Sequence, residues 1–174
     1  MSTVRLSHTS YVVLGLIDQH GTASPYDLKR AATAGVGHFW SLPHTQLYSE
    51  PARLAKAGYL DEKRETTGRR RRLYTLTSTG RAAVDEWRSR PTAELYELRD
   101  AGLLRLYFGA DPGQLAEIQL EAHRQNLRHL ESLRAVGEEV ENVPEGVMLA
   151  VDAGIGHARE YVRFWTRVSN REGA

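Results

Sequence analysis

The sequence contains four consecutive arginines, Arg69–Arg72, and this run is the strongest limit on the predicted fold. They span the end of a glycine-containing turn at 66–69 and the start of the segment 70–77, which with the segment 59–65 has the composition and spacing typical of two paired strands. A hairpin would hold the arginines at its tip and alternate them between its two faces. Cations at a hairpin tip favour contact with the phosphates of a nucleic acid. The alternative is a charged edge that discourages pairing with strands of other molecules.

Three short helices are predicted before the hairpin and one after it. The first covers about 10–20, and the second covers 24–34, with a serine cap followed by proline at the first helical position. The third covers about 41–58 and contains Pro51, which removes a backbone hydrogen bond and predicts a kink. The fourth begins at Thr77-Ser78-Thr79 and extends to Trp87. This order is that of a winged helix-turn-helix, in which the third helix enters the DNA major groove.

The third helix offers polar side chains for such a contact. If Leu47 and Leu54 face the core, a period of 3.6 residues turns hydroxyl, amide and cationic groups outward, with no carboxylate among them. Gln46 suits an adenine edge, whereas Arg53 and Lys56 suit the phosphate backbone. A merely solvated helix face, a capping role for His44 and a place at the core rim for Tyr48 remain alternatives. The candidate DNA-binding residues are His44, Thr45, Gln46, Tyr48, Ser49, Arg53, Lys56, Arg69, Arg70, Arg71 and Arg72.

The two halves of the chain differ in charge. Residues 1–90 carry 14 Lys and Arg against 8 Asp and Glu, whereas residues 91–174 carry 9 against 14. A basic half beside an acidic half indicates that one of them meets a polyanion. We therefore expect a DNA-binding domain over 1–90 and a second domain over 91–174.

Enzymatic chemistry is not expected. The 174-residue chain has no cysteine, which excludes disulfides, thiolate metal sites and cysteine nucleophiles. No phosphate-binding glycine loop, nucleophile elbow or zinc-protease motif is present, and the histidines lack carboxylates at ligand spacing. We expect no metal and no cofactor. With neither a secretory leader pattern nor a long apolar run, a cytoplasmic protein without membrane contact is expected.

The sequence of the second half predicts helices over about 93–107, 112–141 and 145–170. The last helix carries an apolar seam with alternating spacings of three and four residues, which is typical of a coiled-coil-like interface. A second subunit is the simplest cover for this seam. The expected dimerisation residues are Met148, Val151, Ile155, Ala158, Val162 and Trp165.

Ordered motifs over residues 8–90 resemble the PadR-like transcriptional regulators. They are residues 11–17 (YVVLGLI), 39–43 (FWSLP) with Leu47-Tyr48, 53–60 (RLAKAGYL) and 71–81 (RRLYTLTSTGR). The second half resembles the helical C-terminal domain of the longer, virulence-activator-like members. This chain departs from the family at Pro25, which replaces a glycine, and at Pro51, which replaces a leucine.

The resemblance implies a fold that is mainly α with a small β-hairpin wing, a winged helix-turn-helix followed by an α-helical dimerisation domain. It implies a homodimer, most often a repressor, that binds double-stranded DNA at a pseudo-palindromic operator and responds to a signal. A small hydrophobic or aromatic effector would suit the aromatic residues near the domain junction and last helix, although core or dimer packing is the simpler explanation for them. The candidate effector residues are Trp87, Tyr96, Tyr107, Phe108, Tyr161 and Trp165, with Phe164 beside them.

Two other classes of protein remain open. A protein-interaction adaptor with a winged fold and a helical arm would bind DNA weakly and without preference for palindromic sites. A helical protein that sequesters small molecules would gain thermal stability from its ligand but would have no DNA affinity.

Overall fold

The computed structural model describes residues 4–66 and 70–173, which form two compact units, Met1–Glu94 and Leu95–Ala174. Within the described residues the first unit contains α1 (His8–His20), α2 (Pro25–Ala34), α3 (His44–Lys56), β1 (Leu60–Arg64), β2 (Arg72–Leu76) and α4 (Ser78–Ser89), with a short 3₁₀ turn at Val36–His38. The second unit contains α5 (Ala101–Tyr107), α6 (Pro112–Glu139) and α7 (Glu145–Ser169), followed by a 3₁₀ turn at Asn170–Gly173. The predicted fold class, mainly α with a two-stranded hairpin, is confirmed.

Side-chain caps explain where three helices of the first unit begin. Ser7 and Ser24 each form a reciprocal capping box, with Ser10 and Asp27 respectively, and Thr77 accepts a hydrogen bond from the Gly80 amide. Such caps satisfy amide groups that have no partner inside the helix. They confirm the predicted starts of α2 and α4 and place the start of α1 two residues before the predicted one.

The two strands form an antiparallel hairpin in which Leu60 pairs with Leu76 and Arg64 with Arg72. We call residues 60–76 the wing. Its strand β2 is also bonded on its other edge, because Ala23 and Tyr74 exchange backbone hydrogen bonds of 3.1 and 2.9 Å. The wing is therefore joined to the residue that precedes the Ser24 cap of α2.

The core of the first unit collects side chains from all of its helices and both strands. Leu47 and Leu54 of α3 are buried, as the helical period predicted. Pro51 is also buried, and α3 runs unbroken through it from His44 to Lys56. The apolar side of α3 thus faces the core and fixes which side faces outward.

The helix expected over 93–107 is shorter in the structure. Residues 91–100 have no regular secondary structure, and α5 begins only at Ala101, where the Asp100 side chain accepts a hydrogen bond from the Leu103 amide over 2.8 Å. Nearly all side chains from 91 to 100 are exposed. A short helical segment that buries no apolar face is marginal in water, which accounts for the late start.

Part of the seam of α7 lies against α6 of the same chain. Ile155 and Ala158 form a buried cluster with Leu130 of α6, and Trp165 is buried with Ala116. An amphipathic period indicates that a face is covered but not which helix covers it, so contact of a second subunit with this seam stays a prediction. In the part of the chain that the structure describes, no helix is both long and apolar enough to cross a lipid bilayer.

Candidate nucleic-acid interface

The outward side of α3 carries most of the polar side chains expected there. We call its exposed residues Thr45, Gln46, Tyr48, Ser49 and Lys56 the outer face of α3. The helix begins at His44, whose side chain lies outside the described part of the structure. Hydroxyl, amide, phenol and ammonium groups together provide both donors and acceptors for base edges and phosphates.

Two groups of this face also bond within the protein. The Thr9 hydroxyl of α1 donates to Oε1 of Gln46 over 3.0 Å, and the Ser49 hydroxyl donates to the Thr45 carbonyl over 3.2 Å. The first bond joins α1 to α3 and orients the Gln46 amide. The second returns a hydroxyl to its own helix, a common arrangement for serine inside a helix.

Arg53 differs from the expected phosphate contact because its guanidinium is already bound. Its Nε donates to Oε2 of Glu50 over 2.8 Å and its Nη2 donates to Oε1 over 2.5 Å. Nη2 also donates to the Ser10 hydroxyl over 3.0 Å. A two-pronged pair of this kind is strong and directional.

Glu50 was not among the residues singled out from the sequence; it is largely buried and does not belong to the outer face of α3. Only 12% of its side chain is exposed, and Oε1 accepts a hydrogen bond of 2.7 Å from the buried Ser10 hydroxyl. Burial raises the pKa of Glu50, but the hydrogen bonds from Arg53 and Ser10 outweigh that effect and leave the pKa below its usual value. Its spacing of four residues from Gln46 was the available signal, since both then lie on the side of α3 that faces α1.

The wing carries its arginines beside carboxylates. Arg71 binds Glu65 through two hydrogen bonds, from Nε to Oε2 over 3.1 Å and from Nη2 to Oε1 over 2.9 Å. These bonds hold the pKa of the Glu65 carboxyl below its usual value. Both partners are at least partly exposed, so the pair exchanges readily with other ions.

Glu62 gathers three further groups on the hairpin. It accepts a hydrogen bond from the Tyr74 hydroxyl over 3.1 Å, and its Oε1 lies 3.3 Å from Arg64 Nε and 3.7 Å from Arg72 Nε. Arg70 is exposed with a φ of 48°, in the left-handed region. Arg69 lies outside the described residues. The wing thus presents an exposed cationic surface with two carboxylates set into it.

The structure does not bring the candidate effector residues into one pocket. Trp87 belongs to the first unit, where it stacks on Tyr11 with ring centres 4.9 Å apart. In the second unit Tyr96 contacts His157, Tyr161 contacts His123 and Trp165 is fully buried. Tyr107 and Phe108 are exposed and meet edge to face.

A small groove of about 220 Å³ in the second unit includes one of these residues. It is lined by Leu103, Glu160, Tyr161, Phe164 and Arg167. An aromatic wall with one acidic and one basic side chain is the usual composition of a site for a small amphipathic molecule, although the volume is below the common range. Within 4–66 and 70–173 no cluster of three or more His, Asp or Glu side chains has the arrangement of a metal site.

Comparison with known proteins connects this geometry to a family. Residues 13–86 match the model of the transcriptional regulator PadR-like family. Over 102 residues the chain is 31% identical to the negative transcriptional regulator PadR of Bacillus subtilis, a match that covers 56% of this chain and 54% of the relative. The match thus spans about half the length of that curated relative.

Solved structures share the fold over nearly the whole chain. The crystal structure of Bacillus subtilis PadR in complex with operator DNA is similar with a TM-score of 0.83 and 22% identity, covering 97% of this chain and 99% of that one. The crystal structure of the same protein in complex with p-coumaric acid is similar with a TM-score of 0.75 and 22% identity, covering 97% of this chain and 100% of that one.

The matched family segment extends from the middle of α1 through the wing and most of α4, and so includes the whole outer face of α3. The family that this segment matches is one of transcriptional regulators. Over residues 13–86 the chain is therefore similar to the PadR-like family of transcriptional regulators.

Proposed function

We propose that this regulator is a homodimeric repressor that binds a pseudo-palindromic operator through α3 and the wing of each subunit. The observation that carries the proposal is the exposed outer face of α3 together with an arginine-bearing hairpin in the same unit. A helix of this kind fits the major groove, and a cationic hairpin fits the neighbouring backbone. The operator complex of Bacillus subtilis PadR supports the same use of the fold.

We assign the direct DNA contacts to exposed groups only. Gln46, Thr45 and Ser49 are placed at base edges or nearby phosphates, and Lys56 and Tyr48 at the backbone. In the wing, Arg70, Arg71 and Arg72 are placed at phosphates because their side chains are exposed. Arg53 is exposed as well but is left out of this set, because Ser10 binds it in addition to Glu50 and because Glu50 is only 12% exposed, whereas Glu65, the partner of Arg71, is 25% exposed.

Dimerisation is assigned to the second unit. Several of its large apolar side chains in and before α5 are exposed, including Leu95, Leu104, Tyr107 and Phe108. Large exposed apolar surfaces mark interaction sites, and a two-fold symmetric operator requires a two-fold symmetric protein. A second copy of this chain covering the α5 surface meets both needs.

An effector is proposed for the groove beside Tyr161 and Phe164. The p-coumaric acid complex of Bacillus subtilis PadR supports a small aromatic acid as the class of ligand. In this chain Arg167 at the rim would pair with a carboxylate while the aromatic side chains contact a ring. Binding would then shift the protein toward a state with lower operator affinity.

The deciding experiment is a fluorescence anisotropy titration of the full-length protein with the DNA upstream of its own gene and with a scrambled duplex, at 50 and 200 mM salt. Specific binding about 10³-fold or more tighter than binding to the scrambled duplex, and weakening steeply with salt, supports the proposal. Equal and weak binding to both duplexes would contradict it and would favour the protein-interaction adaptor. If the protein binds DNA as proposed, it acts in the cytoplasm, where the chromosome is.

A further inference from the structure

Ser10, Glu50 and Arg53 form a closed triangle of hydrogen bonds between α1 and α3. The Ser10 hydroxyl donates to Glu50, Arg53 donates to the Ser10 hydroxyl, and Arg53 binds both carboxylate oxygens of Glu50. The same Ser10 oxygen accepts the Ser7 amide over 2.8 Å in the capping box of α1. The triangle is therefore attached directly to the first turn of α1.

Because burying the Glu50 carboxylate costs free energy, the arrangement favours one orientation of α3 over others. A largely buried carboxylate is stable only when charged and hydrogen-bonding partners surround it. Both of its oxygens are occupied by Arg53, and Ser10 adds a third bond. A rotation of α3 that separates these groups would leave a buried charge with too few partners, so one orientation is strongly preferred.

The apolar contacts of α3 determine which side faces outward, but they set its exact rotation less tightly than directional bonds do. Pro43 precedes the helix without a side-chain cap, and Pro51 removes one backbone hydrogen bond inside it. Apolar side chains such as Leu47 keep α3 on the core but tolerate small rotations better than directional polar bonds do. The Thr9–Gln46 bond and the Ser10–Glu50 bond attach successive turns of α3 to α1.

We propose that Glu50 and Arg53 are positioning residues that, together with Ser10, fix the rotation of α3 and thereby set how well the protein distinguishes its operator from other DNA. The proposal rests on the proposed function, because it requires the outer face of α3 to read base edges. Bases are read by side chains that must align within hydrogen-bond distance, whereas phosphates tolerate misalignment. Arg53 then acts inside the protein and not at a phosphate.

Three variants of the full-length protein test the proposal: Glu50→Gln, Arg53→Gln and Arg53→Lys. Each is titrated with the upstream duplex and the scrambled duplex over a range of salt concentrations. Glu86→Gln and Arg90→Lys are matched controls, because Glu86 and Arg90 form an exposed ion pair at the end of α4. Thermal unfolding of every variant establishes the temperature range in which it is folded.

The expected result is a ratio of specific to scrambled binding that falls by about tenfold or more in all three variants and stays unchanged in the controls. Arg53→Lys retains the charge but loses the two-pronged bond, so its ratio falls while its salt slope stays that of the wild type. Should Glu50→Gln fail to fold, Arg53→Lys still provides the test, since it keeps a cation beside Glu50.

Three results would overturn the proposal. Equal losses on both duplexes in Arg53→Gln, with a salt slope reduced by about 0.9 per subunit, would make Arg53 a phosphate contact. Unchanged ratios in folded variants would make the triangle irrelevant to recognition. A wild-type protein that does not distinguish the two duplexes would refute the proposed function itself, and the wild-type titration alone reveals that case.

Discussion

Asp18 of α1 accepts a hydrogen bond from Arg81 of α4 over 2.8 Å, and its other carboxylate oxygen pairs with Arg88. Only 15% of the Asp18 side chain is exposed, although both arginines are largely exposed. One carboxylate therefore fastens the first helix of the unit to its last. This contact joins residues more than 60 positions apart and closes the unit around its core.

Asp18→Asn is expected to lower the free energy of unfolding by about 1 kcal/mol, because two charge-assisted bonds weaken at a partly exposed site. Asp85→Asn is the control: Asp85 has a similar charge and a longer, exposed contact with Arg88. Its effect should remain within about 0.5 kcal/mol. Urea unfolding followed by circular dichroism measures both, and equal losses would show that the Asp18 contact has no special role.

Gly80→Ala should destabilise the first unit by about 1–3 kcal/mol or more, since overpacking forces the backbone to move. A β-carbon at this position would lie 2.1 Å from the Tyr59 carbonyl oxygen. Gly15→Ala is the matched control, because no neighbouring atom lies within 4 Å of its β-carbon position inside α1. That change should be neutral or stabilising by up to about 1 kcal/mol. A fall in the thermal midpoint for Gly80→Ala no larger than that for Gly15→Ala would contradict the prediction.

His123 is expected to make stability depend on pH. Burial lowers the pKa of His123 below its usual value of 6.5, with Asp100 opposing the shift, and its ring lies 4.6 Å from that of Tyr161. The unfolded chain therefore binds the proton more readily, so this contribution is complete above about pH 6.5 and is lost as the pH falls. Imidazole resonances followed by NMR should give a pKa below 6.5.

His123→Phe should weaken the pH dependence of unfolding between about pH 7.5 and 5.5, because it retains a ring but removes the titrating group. His157→Phe serves as the control at a more exposed ring contact with Tyr96. An unchanged pH profile in His123→Phe would assign the dependence to other groups.

Glu65→Gln should raise affinity for the operator and the scrambled duplex by similar factors and make the salt dependence steeper. The carboxylate competes with DNA phosphates for Arg71, and its removal also takes a negative charge from the wing. Glu86→Gln on α4 provides the same change of charge elsewhere. If anisotropy titrations show no difference between Glu65→Gln and wild type, Arg71 does not contact DNA.

A Tyr107→Glu/Phe108→Glu variant should convert the dimer to a monomer in sedimentation velocity. The two side chains are 84% and 77% exposed within one chain, so the change should not disturb its core. In a dimer the new charges would be buried without partners, which costs several kcal/mol. Tyr26→Glu, at an exposed tyrosine of the first unit, should leave the dimer intact. A Tyr107→Glu/Phe108→Glu dimer of normal affinity would place the interface elsewhere.

The sequence predicted the first unit well because its signals are local. Serine and threonine caps begin α2 and α4, and the alternation around the arginine run indicates the hairpin. The burial of Leu47 and Leu54 follows from the helical period alone. Each of these features depends on residues within a few positions of one another.

The failures arise where a distant partner decides the outcome. The spacing of the α7 seam indicates a covered face, but part of the cover is α6 of the same chain. The helical period places Glu50 beside the core side of α3, but it does not show the bond from Ser10, which lies 40 residues earlier. The late start of α5 likewise reflects the lack of a packed face before Ala101. The contacts of α7 with α6 and of Glu50 with Ser10 join residues far apart in the chain, so local sequence does not reveal them.

The double pairing of Tyr74 joins two elements into a single unfolding unit. Tyr74 opposes Glu62 within the hairpin and is bonded to Ala23 on its other edge. Peeling β2 away therefore also releases the backbone directly before the Ser24 cap, where α2 begins. Segments linked in this way open cooperatively, so the wing and the start of α2 should share one opening free energy. If DNA binds the wing as proposed, a force on the hairpin would be transmitted to α2, the helix that precedes α3.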